Sequence, residues 1–293
     1  MTAVESAIAR RQYSFYMIGL VVAATIYLLL VVGFAWNPTP FAQILAAIAI
    51  ALAFAHAIAT YGWRDGMALF AICVGITLVI ENIGISTGMP FGPYHFEVGA
   101  GLPHIGRAPL ILGPLWFGMG YFSWILAGVI LNGPHQSDNN RYALLAVPIV
   151  AVFIMTQWDL VMDAPESTLS KAWIWHEGGS YFGVPLSNFL GWLLTSWLFF
   201  QAFALYLHVR FDVQAPRRPQ SHRRALQFAA VLLYAAAGLT HVTAWAMGQT
   251  GEIADAAGHV WRVSDLRATT VIVMLFTMMP TAVIATLRLL RTD

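Results

Sequence analysis

Eight long apolar stretches divide this chain, and no other feature of the sequence constrains its fold as strongly. A helix needs about 20 predominantly apolar residues to cross the hydrocarbon core of a bilayer. The stretches cover residues 14–36, 41–60, 67–86, 109–131, 142–163, 186–209, 225–247 and 268–288. Only 10% of the residues are charged, whereas soluble domains carry about 25%. The sequence therefore predicts an all-α fold, a polytopic membrane bundle of about eight transmembrane helices.

The segments between these stretches are too short to form a separate soluble domain. Residues 1–293 are therefore predicted to form a single integral-membrane domain in contact with the lipid bilayer. The first stretch is longer than the apolar core of a signal peptide, which has about 7–15 residues, and we interpret it as a retained span. The net charge of +1 argues against a nucleic-acid partner, because nucleic-acid binding requires a basic surface.

The distribution of positive charge predicts the orientation of the bundle. With the N-terminus inside, the outer side carries Arg107, Lys171, Arg262 and Arg267, and the other eleven of the 15 Lys and Arg residues lie inside. Because cytoplasmic loops carry an excess of these residues, the sequence predicts an N-in/C-in topology. Two long segments, 81–110 and 162–192, then reach the outer side. They are rich in Gly, Pro and aromatic residues, and loops this long without their own structure tend to be functional, so we expect two ordered outer loops.

Six polar residues fall near the same end of the predicted bundle. They are Glu81 and Asn82 in the third span, Asp159 and Asp163 in the fifth, Asn188 in the sixth and His241 in the seventh. Ionisable groups within spans are costly and normally face the bundle interior or a wet cavity. Asp159 and Asp163 are four residues apart and share a helix face, so they are not expected to ionise together, and one can serve as a general acid. The alternative is that these groups only cap helix ends or pair with Arg107 or Lys171.

The two predicted loops end in matching patterns. Pro109-Leu110 is followed after five residues by Trp116, and Pro185-Leu186 is followed after five residues by Trp192. Each pattern comes after a span that ends in a carboxylate. We interpret spans three–four and five–six as a degenerate repeat whose halves face each other across a site, an arrangement known in membrane folds. The loop tryptophans and tyrosines could alternatively form only an interfacial aromatic belt.

Several membrane chemistries lack the residues that they require. Lys171, the only lysine, lies in a predicted loop, so no span offers the Schiff-base lysine of a retinal protein. The nine histidines are too widely spaced for a di-iron histidine cluster. No glycine-rich nucleotide-binding motif opens a predicted helix. The remaining chemistry uses acids, aromatic rings and water, so we expect no cofactor and no metal.

Four segments of the sequence resemble a known family. They are ENIGISTGMPFGPYHF, APLILGPLWFGMGY, DLVMDAP and WIWHEGGSYFGVPLSNFLGW. They resemble the multi-span carotenoid biosynthesis proteins of the CruF type, the carotenoid 1,2-hydratases, with the bisanhydrobacterioruberin hydratases as relatives. Asp163-Ala164-Pro165 departs from the Asp-Pro that is frequent in the family, but it keeps the acid.

The resemblance implies an enzyme of the bacterial or archaeal inner membrane with a carotenoid and water as substrates. It implies addition of water to the terminal double bond of an acyclic end group of the γ-carotene or lycopene type, giving a tertiary alcohol. Neighbouring carotenoid-pathway enzymes are further candidate partners. Protonation at carbon 2 would place the positive charge on carbon 1, where aromatic faces stabilise a cation by about 0.5–2 kcal/mol each.

Under this hypothesis, Asp159 and Asp163 act as the acid and its partner, and Glu81 positions water or accepts its proton. The candidates for substrate binding are Phe91, Tyr94, Trp116, Trp175, Trp192, Asn82, Asn188 and His241. A carotenoid end-group cyclase would use the same acid and rings while excluding water. A membrane transporter with a carboxylate relay and a pigment-binding protein without activity also stay open.

Overall fold

The computed structural model describes residues 38–99, 101–132, 141–210 and 220–291, and positions 19, 22, 23, 26, 27 and 29–31, which are helical. The predicted first span, 14–36, therefore lies largely outside the described residues. Within them the helices are α1 (Pro38–Tyr61), α2 (Trp63–Thr87), α3 (Leu112–Asn132), α4 (Arg141–Asp163), α5 (Leu186–Arg210), α6 (Gln220–Ala246), α7 (Val263–Phe276) and α8 (Met278–Leu290). A π-helical segment, Ala164–Leu169, continues α4 directly.

Seven helical stretches in the described ranges are long and apolar enough to cross a membrane. They confirm the predicted polytopic helical bundle, while the N-in/C-in orientation stays a prediction. The last predicted span, 268–288, extends over Val263–Leu290 and is interrupted at Thr277, between α7 and α8. Pro280 accounts for the interruption, because it has no N–H to donate to the carbonyl of Phe276 and its ring disfavours an uninterrupted helix.

Helix α3 is the centre of the bundle. Of its spanning residues 72% are buried, whereas the shares for the other six stretches lie between 28% and 50%. Glycines allow its neighbours to approach closely, as in other membrane helix pairs. A Cβ atom at Gly113 would lie 2.7 Å from Cγ1 of Val74 on α2, and one at Gly120 would lie 3.2 Å from the ring of Phe199 on α5. Residues on α3 therefore contact several helices at once.

Short antiparallel strands order the loops at one end of the bundle. The strands are β1 (Tyr94–Phe96), β2 (His104–Ile105), β3 (Ala108–Pro109), β4 (Trp173–Trp175), β5 (Glu252–Ala254) and β6 (Val260–Arg262). Strands β2 and β3 form one hairpin, and β5 and β6 form another. Strand β1 lies between α2 and α3, whereas its partner β4 lies between α4 and α5. The two loops expected from the sequence are therefore ordered and joined to each other.

Candidate active site

Three acidic side chains are buried where α2 and α4 approach the paired loops. The exposed fractions of Glu81, Asp159 and Asp163 are 4%, 0% and 1%. Glu81 lies in the last two turns of α2, and the two aspartates lie in the last two turns of α4. Among the described residues, no Lys or Arg forms an ion pair with any of the three. Lys171 instead donates to the carbonyl of Ala254 at 2.9 Å.

Glu81 accepts hydrogen bonds from two aromatic side chains on different elements. The Tyr94 hydroxyl on β1 donates to its Oε2 atom, and Nε1 of Trp116 on α3 donates to its Oε1 atom at 3.1 Å. Burial raises the pKa of the Tyr94 hydroxyl far above its ordinary value, and the neighbouring Glu81 raises it further. Tyr94 therefore stays a hydrogen-bond donor at any physiological pH.

Asp163 is held by two indoles and an amide. Nε1 of Trp173 and Nε1 of Trp175 donate to its Oδ1 atom at 2.7 and 3.3 Å. The side-chain amide of Asn188 on α5 donates to its Oδ2 atom. The same amide lies 2.9 and 3.2 Å from the two carboxyl oxygens of Asp159. The carboxyl groups of Asp159 and Asp163 also interact directly, so Asn188 and the two aspartates form one hydrogen-bonded unit.

The β1–β4 pair connects the two acidic positions. Tyr94 and Trp175 are directly opposite each other in the register, and their ring centroids are 5.0 Å apart. Side chains of opposite residues in an antiparallel pair emerge on the same face. Tyr94 donates to Glu81 and Trp175 donates to Asp163. One cross-strand contact therefore positions a hydrogen-bond donor for each of these two acidic side chains.

Glu81 and Asp163 face a cavity of about 310 Å³. The predicted site residues that line it are Glu81, Asp163, Phe91, Tyr94, Trp116, Trp175, Trp192, Asn188 and His241. The rings of Trp116 and Trp192 stack at 4.1 Å between centroids, so the two halves of the interpreted repeat meet at the cavity. The rest of the wall is mainly apolar and comes from α1, α3 and α6. The arrangement is a ring-lined chamber with acids at one end.

Two predicted site residues do not line this cavity. Asp159 is completely buried behind it and contacts the cavity wall through Asp163 and Asn188. Asn82 points to the first loop, where its amide donates to the carbonyl of Ile105 at 2.9 Å and its oxygen accepts from the N–H of Arg107 at 2.7 Å. It holds the β2–β3 hairpin against α2. Its expected part in binding the substrate has no support from this geometry.

Two further side chains that were not predicted from the sequence contact the site. Trp173 donates the shorter of the two indole hydrogen bonds to Asp163, although its sequence position is equally typical of an interfacial belt. Glu166 lines the cavity from the π-helical segment. Its spacing of seven residues from Asp159 and three from Asp163 was a usable signal, because positions i, i+4 and i+7 share a helix face.

A third ordered loop, residues 247–262, covers the second loop and was also not predicted. The ring of Trp261 packs on that of Phe182 at 5.2 Å. Asp255 accepts from the N–H groups of Ala257 and His259 and from Nε1 of Trp261 at 2.9–3.0 Å. Burial alone would raise the pKa of Asp255, but the hydrogen bonds from Trp261 and His259 lower it overall. The carboxylate is thus the anchor of the β5–β6 hairpin.

In the part of the chain that the structure describes, no group of three or more His, Cys, Asp and Glu side chains could hold a metal ion. The most buried histidine, His56, is engaged inside the bundle. Its ring nitrogens lie 2.6 Å from the Tyr121 hydroxyl and 2.7 Å from the carbonyl of Leu226. His56 therefore connects α1 to α3 and α6, and these contacts indicate a structural role.

Fold and site together define an integral membrane protein whose helices enclose a chamber of buried acids and aromatic rings. Residues 39–262 match the family described as carotenoid biosynthesis protein, and the chain belongs to that family. It is similar to a bisanhydrobacterioruberin hydratase of Haloarcula japonica, with 30% identity over 132 residues that cover 45% of this chain and 42% of the relative. The match thus spans less than half the length of that relative. No solved structure matches the chain.

Proposed function

We propose that this protein is a carotenoid hydratase, which adds water to the terminal double bond of an acyclic carotenoid end group. The observation that carries the proposal is the placement of the buried side chains of Glu81 and Asp163 on the wall of a ring-lined cavity. A hydrocarbon substrate needs apolar walls. Its protonation needs an acid that is shielded from water. Family membership and the name of the Haloarcula japonica relative, a hydratase, support the same reaction.

The chemistry starts from Asp163, because it is the member of the aspartate pair that lines the cavity. A protonated Asp163 carboxyl donates its proton to carbon 2 of the terminal double bond, and the positive charge develops on the tertiary carbon 1. The stacked rings of Trp116 and Trp192 offer π faces to this cation. A water molecule attacks carbon 1, and the oxonium ion loses a proton to a carboxylate. The sum is addition of one water and formation of a tertiary alcohol.

Asp159 acts as a positioning residue for the acid, Asp163. It does not line the cavity, but it interacts with Asp163 directly and through the amide of Asn188. A neighbouring carboxyl favours retention of a proton by the pair, because two adjacent negative charges in apolar surroundings are unfavourable. Glu81, held by Tyr94 and Trp116, is placed to orient the substrate end or a water molecule against Asp163.

The size of the cavity supports insertion of one end of the substrate. The volume of about 310 Å³ lies at the lower end of the range for pockets that hold one small ligand, about 300–1,000 Å³. A complete carotenoid is several times longer. One terminal isoprenoid unit or two would occupy the chamber, while the rest of the polyene would extend towards the lipid.

Expression in a host that makes lycopene or γ-carotene, followed by mass analysis of the pigments, tests the proposal. The wild type is expected to yield carotenoids heavier by one water. Asp163→Asn is expected to reduce this product by at least about 100-fold, the lower range for general acid–base catalysis, and Glu81→Gln and Asp159→Asn to reduce it less. Glu252→Gln, at an exposed strand position, serves as the control.

Three results would contradict the proposal. An isomer of unchanged mass with a ring at its end would identify a cyclase. Coloured protein that retains the carotenoid without converting it would identify a pigment-binding protein. Normal amounts of alcohol from both Asp163→Asn and Glu81→Gln would refute the assigned acids.

A further inference from the structure

The cavity has a second polar wall that the proposed acids do not use. Trp158, Met162 and Glu166 recur at four-residue intervals along α4 and its π-helical extension, and all three line the cavity. From α6, Thr240 and His241 line it as well. The π-helical segment and α6 both pack against α7. This wall thus comes from a different set of neighbours than the Glu81 side, which α2 and α3 supply.

A π-helical turn orients Glu166 at this wall. The N–H of Ser170 bonds the carbonyl of Pro165 at 3.0 Å, five residues back, and Pro165 itself has no N–H to continue the α-helical pattern of α4. Such π turns within helices are frequent at functional sites. The Glu166 side chain interacts with Ser170 and with the positive charge of Arg267, so a cation lies beside its carboxyl group.

Arg267 links this wall to the outer surface. It interacts electrostatically with both Glu166 and His241, and its Nη2 atom donates to Oε1 of the exposed Gln249 at 3.2 Å. Polar groups beside Glu166 therefore lead to the rim of the bundle. Asp163, by contrast, is enclosed by indoles and by Asn188.

A buried donor on the same wall requires an acceptor. Nε1 of Trp158 is buried and has no hydrogen-bond partner among the described residues. A buried N–H without a partner is costly, and polar atoms in that position normally bond to protein groups or ordered water. Because Trp158 lines the cavity, a water oxygen in the cavity on the same wall as Glu166 would supply this acceptor.

We propose that Glu166, which has Arg267 beside it, is the catalytic base of the hydration and binds the attacking water on the wall formed by Trp158, Thr240 and His241. The inference rests on the proposed function. Asp163 gives its proton to carbon 2, and the bound water forms the new C–O bond at carbon 1. Glu166 takes the proton that this water releases. Asp163 is then reprotonated and Glu166 deprotonated by exchange with solvent, so the enzyme returns to its starting state and one water has been consumed.

The experiment uses the full-length protein in lipid vesicles that contain lycopene, with D₂O as the solvent. Protonation by Asp163 labels carbon 2 with deuterium. When water capture succeeds, the product is a deuterated alcohol. When it fails, the cation returns to an alkene by losing a proton from carbon 2 or from a methyl group on carbon 1, and part of the recovered carotenoid carries deuterium without added water.

The wild type is expected to give mainly alcohol. Glu166→Gln is expected to lower the ratio of alcohol to deuterated alkene by at least about 100-fold, and Glu166→Asp, which keeps a displaced base, is expected to lower it less. Both products come from the same folded molecules, so this ratio does not depend on how much of a variant folds. Glu177→Gln, in the second loop and exposed, should leave the ratio unchanged.

An unchanged ratio in Glu166→Gln overturns the inference. Parallel loss of deuterium and alcohol in both Glu166 variants, with Tm values close to that of the wild type, also overturns it, because the residue would then serve the protonation step. If the wild type itself makes no alcohol, the proposed function fails, and this outcome is distinct from failure of Glu166 as the base.

Discussion

The amide of Asn188 offers the sharpest test of the acidic unit, since one side chain contacts both aspartates. We expect Asn188→Leu, which keeps the approximate shape and removes the donor, to lower both stability and activity. Asp159 would lose contacts of 2.9 and 3.2 Å, and Asp163 would lose the donor to Oδ2. Both carboxyls are at most 1% exposed, so solvent cannot replace the amide.

The size of the effect follows from the number of lost contacts. A hydrogen bond to a charged group contributes about 1.5–3 kcal/mol and a neutral one about 1 kcal/mol. With one charged and one neutral carboxyl, the free energy of unfolding should fall by about 2–4 kcal/mol. The entropy of unfolding is about 2.1 cal/mol/K per residue, so in a chain of 293 residues the Tm should fall by at least about 3 °C. If 1–2 kcal/mol of the loss reflects orientation of the acid, hydration slows by about 5- to 30-fold.

Gln157→Leu is the matched control for this variant. Gln157 is also on α4, and it accepts from the Tyr234 hydroxyl at 2.6 Å and donates to Thr281 at 3.1 Å, but it does not line the cavity. Its replacement should lower Tm by a similar amount and leave the hydration rate per folded molecule unchanged. Thermal melting in detergent and pigment conversion in vesicles measure the two quantities. Equal conversion rates per folded molecule for the two variants would refute the reasoning on Asn188.

Two further predictions concern a close glycine contact and the third loop. Gly191→Ala should slow hydration, because its Cβ would overlap the ring of Phe91 on the cavity wall and such overpacking costs about 1–3 kcal/mol. Gly75→Ala, with open space around its Cβ, is the control. Equal hydration rates for the two variants would contradict the prediction. Asp255→Asn should lower Tm at pH 7. Because the pKa of Asp255 is lowered, the Tm difference from the wild type should have its full size above pH about 4 and should shrink as the pH falls further. A Tm difference that does not depend on pH would show that the carboxylate charge is irrelevant.

The features that a membrane imposes were the ones that the sequence predicted well. Apolar stretches must reach a minimum length to cross the bilayer, so the helices of the described ranges were located to within a few residues. The cost of intramembrane charge singled out Glu81, Asp159 and Asp163, and the structure brings all three together. The interruption at Thr277 was missed because the apolar pattern continues across it, although Pro280 was a visible warning.

The parts that were not predicted depend on contacts between distant residues. Strands β1 and β4 have three residues each and are about 80 positions apart, so neither has a periodicity that a sequence reveals. From the sequence alone, Asn82 and Asn188 are equally suitable as hydrogen-bonding residues of the site. Only the course of the first loop places one against Ile105 and the other against the aspartates.

The pairing of β1 with β4 makes the two outer loops a single mechanical part. Moving either loop shifts the Tyr94 contact to Glu81 and the Trp175 contact to Asp163 at the same time. Exchange of one loop alone between related proteins should therefore misalign both acids, even when the exchanged loop keeps every residue that touches the cavity. A chimera that alters the accepted polyene while preserving the chemistry has to carry both loops together.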